Sequence, residues 1–283
     1  MGVSEVSIMR CVVVVFALFL LPASLPKAAP PDVVYGQVTP FADLPEGVRN
    51  PEGLAVNPVT GEVYVGTFDV RAPATLRNNQ LLRYSNDGKL IAQRSFGQTP
   101  LTGVEFKDGQ IYILNFGGSK LQRLCADFTS TTPIEDLLTF AALTPPAPTP
   151  RHVDNPDGSQ DVITYGSKGM PGPNGMVFDK QNNLYISDSF QGAIYRVDKA
   201  TSCAPCTLQT VARDSLFATS GALPFGANGL AFNADETVLY INNAGDGRVL
   251  RMPMPAGPVT LFAESVFGAD GLLTHWEQLE AEC

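Results

Sequence analysis

The chain has 283 residues, of which 44% are hydrophobic and 17% charged, with 28 acidic against 19 basic side chains and a net charge of −9. This composition supports a buried core and excludes a disordered chain, while the acidic balance leaves no basic surface for nucleic acid or an anionic membrane. The 26 glycines and 23 prolines indicate a chain that turns often, which favours many short strands over a helix bundle.

The amino terminus predicts an export signal. A positive region ending at Arg10 precedes the apolar run of residues 11–21, and small and proline-rich residues follow. The apolar run is shorter than the ~20 residues that span a bilayer, so residues 1–29 are interpreted as a signal peptide whose cleavage position stays open. The mature protein is therefore predicted to be secreted or periplasmic, with no membrane contact after signal removal.

A short pattern recurs along the rest of the chain: a polar residue, a glycine, an aliphatic residue and a further apolar residue. Its copies begin at Glu52, Thr102, Asn174, Asn228 and Asp270. Turn residues and an alternating strand follow each of the first four copies, then a third strand, and a fourth near residues 90–95, 208–212 and 259–263. Four short antiparallel strands at a period of roughly 40 to 50 residues predict β-propeller blades over residues 30–273.

An insertion of residues 142–172, before the third copy, is predicted to be a long loop that forms a lid or the rim of the propeller. Residues 145–150 are rich in proline, and the stretch up to Gly172 is too polar for another blade. Within it, residues 154–158 are interpreted as a turn and not as a calcium loop, because Pro156 occupies a ligand position.

An exported chain allows disulfides among Cys125, Cys203, Cys206 and Cys283, with the pairing left open. Cys203 and Cys206 have the spacing of a redox motif, but they lie in a Thr/Ser-rich link between two predicted strands. A small structural disulfide is therefore favoured over redox catalysis or zinc binding.

The repeat also predicts a site, because the first strand of each propeller blade lines the central channel. Equivalent residues of the repeat should therefore converge, and four of the five polar positions carry carboxylate or amide oxygens. Such oxygens suit Ca²⁺, and no His or Cys joins them. The alternative is that the polar-Gly step only forms a turn in which Asn and Asp bond to nearby backbone amides.

Over residues 51–272 the sequence resembles the gluconolactonase/regucalcin family of six-bladed β-propellers. The Asn-Gly-Leu step at Asn228, followed by a turn and a strand, and the Pro-Asn-Gly step at Asn174 carry the resemblance. It implies a metal site, with Ca²⁺ expected and Zn²⁺ or Mn²⁺ as alternatives. The implied ligands are Glu52, Asn174, Asn228 and Asp270.

The resemblance further implies hydrolysis of a small-molecule lactone or related ester. Asp270 would act as general base or orient the attacking water, and Thr102 would touch the substrate. Asp69 and Asp188 follow second strands and are interpreted as turn caps, with support of the site as the alternative. Two other functions stay open: a non-catalytic propeller that binds a ligand or protein through its rim, and a strictosidine-synthase-like protein.

The repeat pattern stops after Leu273, and residues 274–283 are predicted to be a tail outside the propeller. The predicted fold is therefore all-β, of the six-bladed propeller type, with about four complete blades and the start of a fifth. We expect a truncated version of a longer protein. Such a chain would be unstable alone, self-associate through its open propeller edge or lack activity.

Overall fold

The computed structural model describes residues 39–143, 151–163, 170–219, 221 and 223–273. The predicted signal peptide, the tail of residues 274–283 and the proline-rich residues 145–150 lie outside these ranges. Across the described ranges, no helix combines the length and apolar character needed to cross a membrane.

Four antiparallel four-stranded sheets form the fold, and each contains consecutive strands paired in chain order. Blade 1 contains β1 (Pro51–Val56), β2 (Val63–Thr67), β3 (Asn79–Tyr84) and β4 (Leu90–Gly97). Blade 2 contains β5 (Leu101–Lys107), β6 (Gln110–Asn115), β7 (Lys120–Cys125) and β8 (Glu135–Thr139). Blade 3 contains β11 (Pro173–Phe178), β12 (Leu184–Asp188), β13 (Ala193–Val197) and β14 (Leu208–Arg213). Blade 4 contains β15 (Ala227–Phe232), β16 (Val238–Asn243), β17 (Arg248–Pro253) and β18 (Thr260–Glu264). The predicted β-propeller class and the four complete blades are confirmed.

The blades stack face to face, with a separate hydrophobic core in each interval. Tyr64 of blade 1 packs in one cluster with Ile113 of blade 2, and Leu114 of blade 2 shares the next with Ile186 of blade 3. A third cluster joins blades 3 and 4. The first strands of successive blades also contact each other directly, in the order β1, β5, β11, β15. They therefore surround a common channel, as the repeat predicted.

The polar-Gly step of the repeat forms a β-bulge between the first and second strands of every blade. The register shifts between Pro51 and Leu54, Leu101 and Val104, Pro173 and Met176, and Ala227 and Leu230. A bulge leaves residues out of the ladder and re-aims their side chains. The interpretation of this step as a simple turn is therefore wrong for the first four copies, because in each of them the step lies inside a strand.

The glycine of each bulge lies against the backbone of the next blade. A β-carbon added to it would come far inside contact distance of the carbonyl oxygen of the next polar repeat residue. From the added β-carbon to the carbonyl oxygen, the distance is 2.1 Å for Gly53 and Thr102, 2.7 Å for Gly103 and Asn174, 2.3 Å for Gly175 and Asn228, and 2.4 Å for Gly229 and Asp270. Only glycine allows the inner strands to approach so closely.

Two elements differ from the sequence-based expectation. No fourth strand was predicted for blade 2, yet β8 forms there, and its two acidic residues pair with β7. Arg123 Nε lies 2.7 Å from a Glu135 carboxylate oxygen, and Lys120 contacts Asp136 at 2.5 Å. Both acidic residues are exposed, and each is paired across the outer strands of blade 2.

The predicted rim loop contains a β-hairpin, formed by β9 (Arg151–Asp154) and β10 (Gln160–Ile163). The predicted turn at residues 154–158 connects the two strands. It is closed by a hydrogen bond from the Gly158 amide to the Asn155 carbonyl (3.0 Å), and Gly158 has a φ of 81°. This interval is not a blade, as predicted, but it is not irregular throughout.

Cys203 and Cys206 form a disulfide, as predicted, and its structural role in place of redox catalysis stays a prediction. The Cys206 amide donates a hydrogen bond to the Leu137 carbonyl at 2.8 Å, so the small loop is tied to blade 2. Cys125 has a free, exposed thiol. Cys283 lies outside the described residues.

The glycine contacts predict a sharp difference in stability between two alanine variants. Gly175→Ala should lower the free energy of unfolding by roughly 1–3 kcal/mol, because backbone atoms of blade 4 must move to accept the new methyl group. Gly271→Ala is the matched control, since no described atom lies within 4 Å of its added β-carbon. Denaturant unfolding of both variants measures the difference, and equal stabilities would contradict it.

Candidate functional site

Two cavities lie on either side of the five polar repeat residues. The mouth cavity has a volume of about 530 Å³ and includes Phe68, Phe225 and Arg71 in its wall. The channel cavity has about 240 Å³ and includes the bulge glycines and the aliphatic residues that follow them. Both cavities are also lined by Glu52, Thr102, Asn174, Asn228 and Asp270. The structure thus brings all five sequence-predicted positions together at the boundary between the cavities.

The two carboxyl groups of this boundary lie in an unfavourable environment for charge. Burial, and then repulsion from Asp270, raise the pKa of Glu52 to about 7. Asp270 is exposed as a whole residue, but partial burial of its carboxyl raises its pKa too, and the Asn228 side chain partly offsets that effect. Two neighbouring carboxyl groups without a cation between them therefore resist simultaneous ionisation.

A hydrogen-bond chain fixes the side chain of Asn174, which is only 5% exposed. Its Nδ2 donates to Ser189 Oγ at 3.0 Å, and Ser189 Oγ donates in turn to the Ala227 carbonyl at 2.6 Å. With its nitrogen engaged by Ser189, Asn174 keeps its Oδ1 oxygen available at the cavity boundary. Ser189 was not singled out from the sequence, because it follows the second strand and does not belong to the repeat.

The fifth copy of the repeat is held in place by blade 4. The Gly229 amide donates to the Asp270 carbonyl at 3.1 Å, and Asn242 Nδ2 donates to the carbonyls of Asp270 and Gly271 at 3.2 and 3.0 Å. These contacts use only the backbone of Asp270. Its carboxyl group interacts instead with the Asn228 side chain at the cavity boundary, which Glu52 also lines.

Thr102 differs from the other four positions. It is 1% exposed, and its Oγ1 donates to the Pro173 carbonyl of the next blade at 2.8 Å. The hydroxyl proton is thus used to join two inner strands. Thr102 lines both cavities, and its contact with substrate stays a prediction.

Four phenylalanines beside the mouth cavity were missed by the sequence reasoning. Each contacts the next, so that the four side chains form a closed ring, to which each blade contributes one phenyl group. The distances between centroids are 5.3 Å for Phe68 to Phe116, 5.6 Å for Phe116 to Phe190, 5.6 Å for Phe190 to Phe225 and 6.4 Å for Phe225 to Phe68. The signal was present, because Phe68 and Phe116 directly follow the second strands of blades 1 and 2.

A further carboxyl group, on Glu105, lines the channel cavity and also escaped the sequence reasoning. Burial raises its pKa to about 7, an effect that the nearby Lys107 opposes. It follows the bulge on β5 and points to the opposite side of the boundary from the phenylalanine ring.

Asp188 and Asp69 serve as turn caps. Asp188 Oδ1 accepts hydrogen bonds from the amides of Gly172, Phe190 and Gln191 at 2.9–3.0 Å. Asp69 Oδ1 accepts one from the Ala72 amide at 3.3 Å. The turn-cap interpretation is confirmed for both residues.

The amide side chains are essential to any metal site here. Among the described residues, no three His, Cys, Asp or Glu side chains come together in a way that could hold a metal ion. The boundary offers two carboxylates, the amide oxygens of Asn174 and Asn228, and the hydroxyl oxygen of Thr102. An all-oxygen donor set of this kind fits a hard cation such as Ca²⁺.

Comparison with known proteins returned no matching family model and no matching curated protein. Similar solved structures are β-propeller proteins. They include virginiamycin B lyase from Staphylococcus aureus, with 15% identity, a TM-score of 0.41 and coverage of 75% of this chain and 69% of that one. A protein assigned as a gluconolactonase has 18% identity, a TM-score of 0.45 and coverage of 77% and 64%. One from Bacteroides uniformis, assigned as a 6-phosphogluconolactonase, has 12% identity, a TM-score of 0.47 and coverage of 76% and 57%. This chain thus spans less than two thirds of the last two proteins.

The raised pKa of Glu52 predicts a pH dependence of stability in metal-free protein. The folded state keeps the Glu52 proton up to about pH 7, whereas the unfolded state loses it near 4.5. Stability should therefore fall as the pH rises through that window. The charged groups around Glu52 are Asp270 and, in the mouth cavity, Arg71.

Denaturant unfolding in a chelator between pH 5 and 8 tests this expectation. Glu52→Gln should remove part of the decline, because the glutamine cannot titrate. The control is Glu264→Gln, a change at an exposed position on β18. Parallel pH profiles for the wild type and Glu52→Gln would contradict the prediction.

Proposed function

We propose that this propeller is a Ca²⁺-dependent hydrolase of lactones or related esters. The supporting observation is the meeting of Glu52, Asn174, Asn228 and Asp270 at one cavity boundary, each from a different first strand or its equivalent. Their order along the chain is the one implied by the resemblance to the gluconolactonase/regucalcin family. The mouth cavity, at about 530 Å³, has the size of a small-molecule site.

The donor set favours calcium on chemical grounds. Two carboxylates and two amide oxygens would neutralise a divalent cation, and a cation between Glu52 and Asp270 would relieve the repulsion that raises the pKa of Glu52. Mn²⁺ and Zn²⁺ are the alternatives for an oxygen site, with affinity and availability deciding among them. The Ser189 contact supports this assignment by holding the Asn174 amide in one orientation.

A bound cation would supply Lewis-acid polarisation of the substrate carbonyl. In the proposed reaction, Asp270 orients a water molecule and accepts its proton as the water oxygen attacks the carbonyl carbon. The ring carbon–oxygen bond then breaks, and the departing oxygen takes the proton from Asp270, giving a hydroxy acid.

Export belongs to the same proposal. The Cys203–Cys206 disulfide supports an oxidising compartment, in agreement with the signal peptide predicted at residues 1–29. The substrate would then be an extracellular or periplasmic small molecule.

Calorimetric titration of the purified protein with Ca²⁺ tests the site. Asp270→Asn and Glu52→Gln should each weaken Ca²⁺ binding on the order of a hundredfold, because each removes one of two carboxylate charges. Lactone hydrolysis should be lost in both variants. Asp157→Asn, in the turn between β9 and β10, is the control with an equal change of charge. Unchanged Ca²⁺ affinity in either site variant would sink the assignment, and Ca²⁺ binding without turnover would favour a binding module.

Two serine variants separate orientation of the ligand from general packing. Ser187 Oγ and Ser189 Oγ each donate to a backbone carbonyl of blade 4, at 2.7 and 2.6 Å, but only Ser189 contacts the Asn174 amide. Ser189→Ala should lower Ca²⁺ affinity roughly tenfold, whereas Ser187→Ala should leave it unchanged. The same calorimetric titration measures both, and equal losses would show that the effect is one of packing.

A further inference from the structure

The mouth cavity combines a polar base with apolar walls. Its base is the boundary of five polar repeat residues, and its walls include Phe68, Phe225, Val70 and Leu223. Apart from the base, the polar side chains that line it are Asn50 and Arg71. A ligand whose reactive group reaches the base must therefore place the rest of its surface mainly against hydrocarbon.

The four phenylalanines do not belong to the cores that hold the blades together. None of the described core clusters includes them, and each is only half-buried. Phe68 and Phe225 face the mouth cavity, while Phe116 and Phe190 complete the ring beside them. The ring thus lies outside the three cores between blades and presents part of its aromatic surface to the mouth cavity.

Val70 and Leu223 extend this apolar surface toward solvent. They are 37% and 49% exposed, and both line the mouth cavity. When an apolar ligand covers these exposed aliphatic side chains, their removal from water contributes favourably to the free energy of binding.

We infer that this site takes lactones or esters that carry an alkyl or aryl substituent, and that it discriminates against polyhydroxylated lactones. The inference rests on the proposed function for the reactive group, and on the apolar wall for the substituent. A hydroxyl group placed against the phenyl faces would lose its hydrogen bonds to water without replacement, which is costly. An alkyl chain in the same place would bind more tightly with each added methylene.

Binding of unreactive lactams tests this inference without catalysis. A series of γ-lactams with alkyl substituents of increasing length, and a polyhydroxylated δ-lactam, would be titrated into the Ca²⁺-saturated protein by calorimetry. The Kd should fall about fourfold per methylene until the wall is covered. The polyhydroxylated lactam should bind more weakly than the longer alkyl lactams. Equal or tighter binding of the polyhydroxylated compound, or no dependence on chain length, overturns the inference.

Variants of the wall locate the effect. Phe68→Ser should abolish most of the dependence of Kd on chain length. Leu223→Ser, at the exposed rim, should reduce that dependence without lowering the stability of the fold. Phe262→Ser is the matched control, because Phe262 is 55% exposed on β18 and contacts Tyr240 outside both cavities. Thermal melting confirms that each variant is folded. An unchanged dependence in both wall variants contradicts the assignment of the wall.

Turnover assays keep the two proposals apart. Lactam binding that depends on chain length, together with no hydrolysis of any alkyl or sugar lactone, would reject the hydrolase and retain the apolar site. Hydrolysis of polyhydroxylated lactones in preference to alkyl lactones would retain the hydrolase and reject the inference.

Discussion

The structure depends on one repeated contact, the close approach of a bulge glycine to the carbonyl of the next polar repeat residue. In blades 1 to 4 this separation leaves no space for a β-carbon. The contact brings neighbouring first strands together. The hydrophobic cores between blades are built from other residues, on the strands of each pair of adjacent blades. Because a bulge sets the position of the glycine, the same step also decides where the preceding polar side chain points. Packing of the blades and convergence of the site thus have a common cause.

Convergence has an electrostatic consequence. Glu52 and Asp270 come from opposite ends of the described array of blades, yet each carboxyl lies in the same boundary. Their proximity, together with burial, works against ionisation of both groups. A fold that forces two carboxyl groups together either tolerates protonation or gains from a cation, and the amide oxygens of Asn174 and Asn228 make the second outcome chemically favourable.

The sequence predicted the elements that follow a strict local pattern. The first three strands of each blade alternate clearly, and the polar-Gly step marks each first strand, so both fold class and site positions were accessible. Strand β8 was not, because Glu135 and Asp136 are stabilised by Arg123 and Lys120 on a neighbouring strand, and such pairs are visible only after folding. The phenylalanine ring and the Ser189 contact were missed for a related reason. Both consist of contacts between residues of different blades. The phenylalanines also do not occupy equivalent positions in the repeat, because Phe225 precedes the first strand of its blade whereas the other three follow second strands.

The geometry of the bulge has a consequence for how such a protein can diversify. The neighbouring glycine contacts the carbonyl of the polar residue, and not its side chain. The side chain at that position can therefore be exchanged while the contact between blades is kept, as the presence of threonine, asparagine and aspartate at the four contacted positions illustrates. Thr102 turns its hydroxyl to the adjacent blade, whereas Asn174 directs its amide to Ser189. The backbone of each such residue thus holds the blades together while its side chain sets the polarity of the channel, so substitutions can change the channel lining without changing the packing of the blades.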